Sequence, residues 1–367
     1  MKTKSLRIAV SGLHRGENPQ PGAGIIRSIR RRFPNAHIVG LVYDAMESGI
    51  YVEGGPDEVH LMPFPSVGAA ALFERIDAIR KQTPFDFFIP TLDAEIEVFT
   101  HFQKRFDERG IRVCLPSVDV LKRRAKQRLP ALAADCRIAI PETRTAVDLA
   151  GACRAGAELG FPLVVKGTYY DARIVHSVSQ LSAAASDLLA EWGHPLILQR
   201  FVSGTEFNVL GLGNGKGGWL GHCCIRKTQL SNKGKGLGAI TVVDERLTQL
   251  SARLIRELKW PGPFEIELIR EETSGNYILI EINPRFPAWI DFPAMLGANY
   301  AAALVELLQS KSRPARLPDL APGSFYLRHQ VEVVGDINRY AGLLNDATSA
   351  LPGLIDESAP IQKMPRR

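Results

Sequence analysis

Two runs late in the 367-residue chain constrain its fold more than any other feature. They are Phe264-Glu265-Ile266-Glu267-Leu268 and Tyr277-Ile278-Leu279-Ile280-Glu281-Ile282-Asn283, joined through Thr273-Ser274-Gly275-Asn276. Period-two patterning on both sides of a Ser-Gly-Asn turn predicts paired antiparallel strands. A turn centred near Ser274 sets Glu267 opposite Glu281 and Glu265 opposite Asn283, so four oxygen-bearing side chains share one patch. Like charges directly opposite on a sheet destabilise it. A divalent cation removes that repulsion, and carboxylate, amide and water oxygens suit Mg²⁺. The competing reading is a solvent-facing hairpin on which glutamates are ordinary. Pro284 favours the metal, because it ends the strand and leaves Arg285 just beyond the acids. A guanidinium there suits phosphate oxygens held by the same ion.

Lys166 closes the apolar run Phe161-Pro162-Leu163-Val164-Val165, so its ammonium emerges at the end of a buried strand. Lys126 lies forty residues earlier in a basic, helix-like stretch. Two lysines from separate elements can clamp phosphates as point charges. Either one alone is as readily a solvated strand or helix end.

A chain of this length exceeds what one hydrophobic core supports, so more than one packed unit is expected. In the first third, apolar strands at 6–10, 36–42, 85–89 and 111–115 alternate with helices at 25–33 and 69–82. That order predicts a parallel, doubly wound sheet whose ligands sit beyond the strands' carboxyl ends. Two loops fall there. One runs from Ser11 to Gly24 and carries His14 and Arg15; the other runs from Thr91 to Glu97 with Asp93, Glu95 and Glu97. Glycines at 12, 16, 22 and 24 do not make a dinucleotide fingerprint, so the first loop is either a plain connection or a substrate-side element. Past Pro116, a basic helix over 118–129 is expected to stop at Pro130. Helices are expected at 148–159 and 247–258, a strand at 196–201, and a hairpin from 207–212 and 219–226. Arg226, Lys227, Lys233 and Lys235 lie in or beside a stretch from Gln229 to Gly238. It reads as a plain surface loop or as one closing over a second substrate, its Gly234, Gly236 and Gly238 permitting motion. The proline-rich tail after Arg313 is loop-like, with one more strand at 324–328.

Composition, 45% hydrophobic and 23% charged, is that of a globular protein. No run of about 18 apolar residues predicts a membrane span. The amino terminus enters Ile8-Ala9-Val10 with no long apolar stretch before it, so no secretory signal is expected. Cys114, Cys136, Cys153, Cys223 and Cys224 show no metal-ligand spacing, and are expected to be reduced core thiols in the cytoplasm. The net charge of +6 comes with basic runs at 27–32 and 122–128. Without aromatic interleaving or a recognition helix, these are read as solvated helix faces or a surface for anionic small molecules, not as a nucleic-acid site.

Over about residues 5 to 310 the chain resembles the ATP-grasp superfamily, nearest the carbamoyl-phosphate synthase and biotin carboxylase-like branch. The motif is Ile280-Glu281-Ile282-Asn283-Pro284-Arg285, preceded fourteen residues earlier by Glu267. The resemblance implies an α/β and α+β chain: a Rossmann-like parallel-sheet domain (1–115), then a two-lobed ATP-grasp fold. Its parts are a small lobe or lid (116–195), a lobe with the metal site (196–312) and an extension completing that lobe (313–367). It implies Mg²⁺, with Mn²⁺ as substitute, at Glu267, Glu281 and Asn283, the two glutamates also serving the nucleotide. Arg285 takes the place of the transition-state cation. Lys126 and Lys166 match the two basic residues on the ATP phosphates, Lys166 with a catalytic share. Gln199-Arg200-Phe201-Val202 matches the hinge that touches adenine, and Glu206, in Gly204-Thr205-Glu206, the nucleotide-binding acid. Three positions depart from the family. Ala125 stands where aspartate is frequent, Gln199 where an acid is frequent, and the stretch Gly167 to Arg173 has one glycine where the family loop has several.

The activity so implied is ATP-dependent carboxylate–amine ligation through an acyl phosphate, releasing ADP and phosphate. Small-molecule or peptide acids and amines are its partners, with no nucleic acid or membrane, in a cytoplasmic enzyme whose relatives are commonly homodimers. The alternatives are a bicarbonate-using carboxylase or carbamoyl-forming enzyme, and an ATP-binding protein without turnover.

Overall fold

The computed structural model describes residues 6–15, 19–167, 172–231, 234–309, 315–330, 332–346 and 348–350. Gly16, Thr168, Tyr169, Tyr170, Asp171 and Lys233, on which loop expectations rested, lie outside them. Two compact units divide the chain. The first comprises Met1–Leu115, Arg285–Pro318 and His329–Arg367; the second comprises Pro116–Pro284 and Asp319–Arg328. The expected lobe 196–312 therefore has its last residues grouped with the first unit. Among the described residues, no helix is long and apolar enough to cross a membrane.

The first unit is built on five parallel strands, β1 (Arg7–Ser11), β2 (His37–Val42), β3 (Glu58–Leu61), β4 (Phe87–Ile89) and β5 (Arg112–Val113), in the order β3-β2-β1-β4-β5. The strand Thr348–Ala350 adds antiparallel at the β3 edge. Ile8, Ala9 and Val10 are fully buried, as a central parallel strand covered on both faces requires. The strand β3 was not expected, because Glu58 and His60 break its apolar pattern.

The basic run of the helix Gly22–Arg32 is solvent-exposed at Arg27, Arg31 and Arg32, and it is also paired. Arg27 and Arg31 both pair with Asp291, Arg30 with Asp57 and the Gly54 and Gly55 carbonyls, and Arg32 with Glu306. The contacts of Arg27, Arg31 and Arg32 hold the segment Arg285–Pro318 against this helix. The acidic stretch after Pro90 is no loop: a helix begins at Asp93. The Glu95 carboxylate reaches back to the Thr91 and Leu92 N–H groups, which satisfies orphan donors at a helix start.

The second unit holds two antiparallel sheets. The smaller has β6 (Thr143–Ala146), β7 (Leu163–Lys166), β8 (Ala172–Val175) and β9 (Leu196–Arg200) in the order β6-β9-β7-β8. Its apolar face packs on the helices Leu149–Leu159 and Val178–Trp192 through Leu163, Val165, Leu181 and Leu188. The larger contains β10 (Gly204–Asn214), β11 (Trp219–Leu230), β12 (Gly236–Val242), β13 (Pro261–Glu271), β14 (Tyr277–Asn283) and β15 (Phe325–Leu327), ordered β14-β13-β10-β11-β12-β15. The helix Glu245–Leu258 covers one face, with Leu247, Leu250, Leu254 and Leu258 against Phe264, Ile266 and Leu268.

Two expectations need correcting here. The basic helix expected over 118–129 ends at Arg124, and after a turn a separate helix runs from Leu129 to Cys136. Pro130 sits in the first turn of the second, where its missing N–H costs nothing, so it starts a helix instead of stopping one. Lys126 thus lies in the turn between them. Gly236 and Gly238 belong to β12 and are not loop hinges. A Cβ on Gly238 would stand 2.8 Å from Leu327 and 3.3 Å from the Tyr326 carbonyl, so glycine there lets β15 dock.

Candidate active site

Glu267 lies opposite Glu281 and Glu265 opposite Asn283, the register expected from the sequence, although the route differs. Nearer the turn the partners are Arg270 with Tyr277 and Leu268 with Leu279. An unbroken ladder would then set Glu267 against Ile280. Ile280 is the extra residue of a β-bulge, which reverses the face taken by every residue after it. Tyr277 and Leu279 join the core that holds Leu268; beyond the bulge it is Ile282 that does so. Glu281 and Asn283 therefore turn to the side of Glu265 and Glu267. Without the bulge, Glu281 would point into the apolar layer against the helix Glu245–Leu258.

Amides fix this face. Asn283 Nδ2 donates to Glu265 Oε2 (3.2 Å) and to Glu267 Oε1 (3.0 Å). Asn208, opposite Glu267 on β10, donates to the other Glu265 oxygen at 2.6 Å. Glu265 is 5% exposed with both oxygens so engaged, whereas the Glu267 and Glu281 side chains are 29% and 31% exposed.

Three lysines balance the acids. Lys227 Nζ lies 2.6 Å from Glu206 Oε2 and 3.6 Å from Glu267 Oε2. Lys126 Nζ is 3.9 Å from Glu281 Oε1. Burial pushes the pKa of Lys166, at the end of β7, downward; Lys126 adds to this, and Glu281 and Glu267 oppose it. Burial also disfavours the charge on Lys227, but Glu267 and Glu206 more than offset it and its pKa is raised. Among the described residues, no three His, Cys, Asp or Glu side chains converge closely enough to hold a metal by themselves.

The remaining candidates are dispersed. Gln199, buried on β9, gives its Nε2 to Thr143 Oγ1 at 3.1 Å. The N–H groups of Arg200 and Phe201 bond to the Glu142 and Pro162 carbonyls, and Val202 follows directly. Arg285 belongs to the first unit, where its Nε donates to Asp93 Oδ2 at 2.8 Å. In that unit Arg15 pairs with Asp44 at 2.9 Å, and His14 exchanges hydrogen bonds with Gln20. Glu95, fully buried in the helix that follows β4, accepts from Ser11 and Tyr43 and so ties the ends of β1 and β2 to that helix.

Asn208 was missed, and Lys227 was read as a charge beside a loop. The signal was the β10–β11 hairpin: Phe207 opposes Arg226, so Glu206, the next residue on β10, falls beside Lys227.

No family model matches the chain. Over 203 residues (52% of the chain) it is 23% identical to the carbamoyl phosphate synthase large chain of Pseudothermotoga lettingae, the match covering 18% of that protein. The chain thus spans less than a fifth of that relative's length. Among solved structures it superposes on the biotin carboxylase domain dimer of Hydrogenobacter thermophilus 2-oxoglutarate carboxylase, determined with MgADP, ADP and bicarbonate. The TM-score is 0.63 at 18% identity, over 87% of this chain and 73% of that one. The L-amino acid ligase from Bacillus licheniformis gives 0.61 at 15% identity, over 85% and 76%. This is an ATP-grasp fold. Within the ATP-grasp chain, the acids of the bulged hairpin and the three lysines all belong to the second unit.

Proposed function

We propose that the chain is an ATP-dependent ligase joining a carboxylate to an amine. The observation that carries this reading is the bulge-set patch of Glu267, Glu281 and Asn283 with lysines on either side. Two half-open carboxylates and one amide fit Mg²⁺, which keeps several waters and takes substrate phosphates instead of a full protein cage. Asn283 spends Nδ2 on the glutamates, which leaves Oδ1 for the ion. When bound, the ion would neutralise charge on the phosphate oxygens.

The chain's own residues supply the rest. Lys126 and Lys166 hold phosphate oxygens, Lys166 from the sheet β6–β9 that we take as the core of the lid. Phe201 and Val202 offer their remaining backbone groups to the base, beside Arg200 and the buried Gln199. Glu206, fixed by Lys227, serves the nucleotide. Arg285, two residues past Asn283 in the chain, is the cation for the transferred phosphoryl group. A substrate carboxylate oxygen bonds to the γ-phosphorus as ADP leaves. An amine nitrogen then bonds to the acyl carbon, phosphate leaves and the nitrogen gives up a proton. Positioning and charge stabilisation do most of this work.

The test is an ADP-release screen over amino acids and short peptides, with Glu281→Ala as the blank. Release that requires both a carboxylate and an amine supports ligation. Release that requires bicarbonate moves the chain to the carboxylase reading. Nucleotide binding with no turnover on any of these overturns both.

A further inference from the structure

The edge strand β15 lies in the segment Asp319–Arg328, which rejoins the second unit after the stretch Arg285–Pro318. Thr241 anchors it, with its N–H on the Ser324 carbonyl (2.7 Å) and its hydroxyl on the Ala321 carbonyl (2.9 Å). At the other end, the Arg328 N–H donates to the Leu237 carbonyl at 2.7 Å. Phe325 and Leu327 are 65% and 57% exposed, so the strand turns one side chain inward.

That side chain is Tyr326. It opposes Ala239 on β12, which opposes Lys227 on β11, so all three stand on the acid face. The point where a Cβ on Gly236 would stand is 3.5 Å from Tyr326 Oη and 3.7 and 3.9 Å from Lys227 Cδ and Cε. Phenol oxygen and lysine stem therefore border the same space above a glycine. Burial raises the Tyr326 pKa, with Arg328 and Lys227 opposing and Glu265 adding to the rise.

We propose that Tyr326 is a positioning residue of the acid face, covering the Lys227 stem and holding its ammonium between Glu206 and Glu267. The inference rests on the nucleotide reading above. A lysine stem left uncovered regains rotamer freedom, and its ammonium is drawn to water. Glu206 and Glu267 then lose the cation that fixes them before nucleotide arrives.

The experiment is a calorimetric titration of magnesium plus a non-hydrolysable ATP analogue into the full chain. The variants are Tyr326→Phe, Tyr326→Ala, Lys227→Met and the double variant Tyr326→Ala/Lys227→Met. Partners of site ligands are worth 10–100-fold, so Tyr326→Ala should bind about tenfold more weakly, while Tyr326→Phe, which keeps the ring, should stay within about threefold. If Tyr326 acts through Lys227, removing it from the Lys227→Met protein should change affinity by less than about twofold. Unchanged binding by Tyr326→Ala, or an equal loss in both backgrounds, overturns the proposal and leaves the nucleotide reading standing. No binding by the unmodified chain overturns both.

Discussion

Replacing Glu281 by glutamine separates a cation seat from an ordinary hairpin, because it removes one charge and keeps the shape. Magnesium–nucleotide at about a hundred times its Kd stabilises a protein that binds it only when folded by about 2.7 kcal/mol. For a unit the size of the second one, that raises the melting temperature by about 8 °C at roughly 2–4 °C per kcal/mol. Outer partners of metal ligands cost about 10–100-fold when removed, so a ligand itself is set at a hundredfold. At the same concentrations Glu281→Gln then retains about 0.4 kcal/mol, a shift of about 1 °C. Glu265 serves two amides and is not left open, and Glu265→Gln sets one NH₂ group against another. A tenfold loss there leaves about 1.4 kcal/mol, or about 4 °C. Glu271, at the far end of β13, is bonded to Ser274, and Glu271→Gln should keep the full shift. Scanning calorimetry with and without ligand reads all four. Equal shifts for Glu281→Gln and the unmodified chain, or a collapse in Glu271→Gln matching that in Glu281→Gln, would refute the placement of the ion.

Other outcomes follow from single contacts. Lys227→Met leaves Glu206 and Glu267 without their cation; a fully buried pair would lose 3–5 kcal/mol, and the 29% exposure of both acids reduces this to about 2 kcal/mol in urea unfolding of the second unit. Asp291→Ala removes the acceptor of Arg27, Arg31 and Ser28, and should lower the stability of the first unit by about 2 kcal/mol, both arginines being near half-exposed. Burial, with Arg75 acting the same way and Glu58 opposing, lowers the His60 pKa from 6.5 to about 4. Between those values the unfolded chain binds a proton that the folded chain does not, so stability falls as pH drops through the window, by about 3 kcal/mol in all. His60→Gln should flatten that decline when urea midpoints at pH 7 and pH 4.5 are compared.

The sequence made the hairpin legible because a strand's period of two survives in Glu265/Glu267 and Glu281/Asn283. It gave the right register for an incomplete reason. The turn centre lies half a residue from Ser274, and the bulge at Ile280 restores the alignment at the acids. A bulge leaves no composition signal, since isoleucine is as ordinary there as in a regular strand. The reading failed where side-chain partners come from far along the chain. The arginines of the helix Gly22–Arg32 look unpaired until Asp291 and Glu306 are brought to them. Lys227 looks like a charge beside a loop until β12 continues the sheet past it. Pro130 shows the limit of a local rule: the same ring that breaks a helix interior is accepted in a first turn, and only the turn at Lys126 decides which applies.

The charges on the acid face explain why ion and nucleotide should arrive together. Glu206, Glu265, Glu267 and Glu281 face Lys126, Lys166 and Lys227, which leaves one net negative charge. Nucleotide without a metal would add its phosphate charges to that surplus, and its phosphates would have to draw lysines away from acids left bare. An ion alone would meet carboxylates already compensated. The pairings differ in tightness. Lys227 holds Glu206 at 2.6 Å, whereas Lys126 stands 3.9 Å from Glu281, and burial already disfavours the charge on Lys166. Lys126 and Lys166 are the two proposed for the phosphates, and Lys227, the one bound to Glu206, keeps its place. An ion on Glu267 and Glu281 would take over the role of Lys126 and release it toward the phosphate oxygens, so each half of the complex removes the electrostatic obstacle to the other.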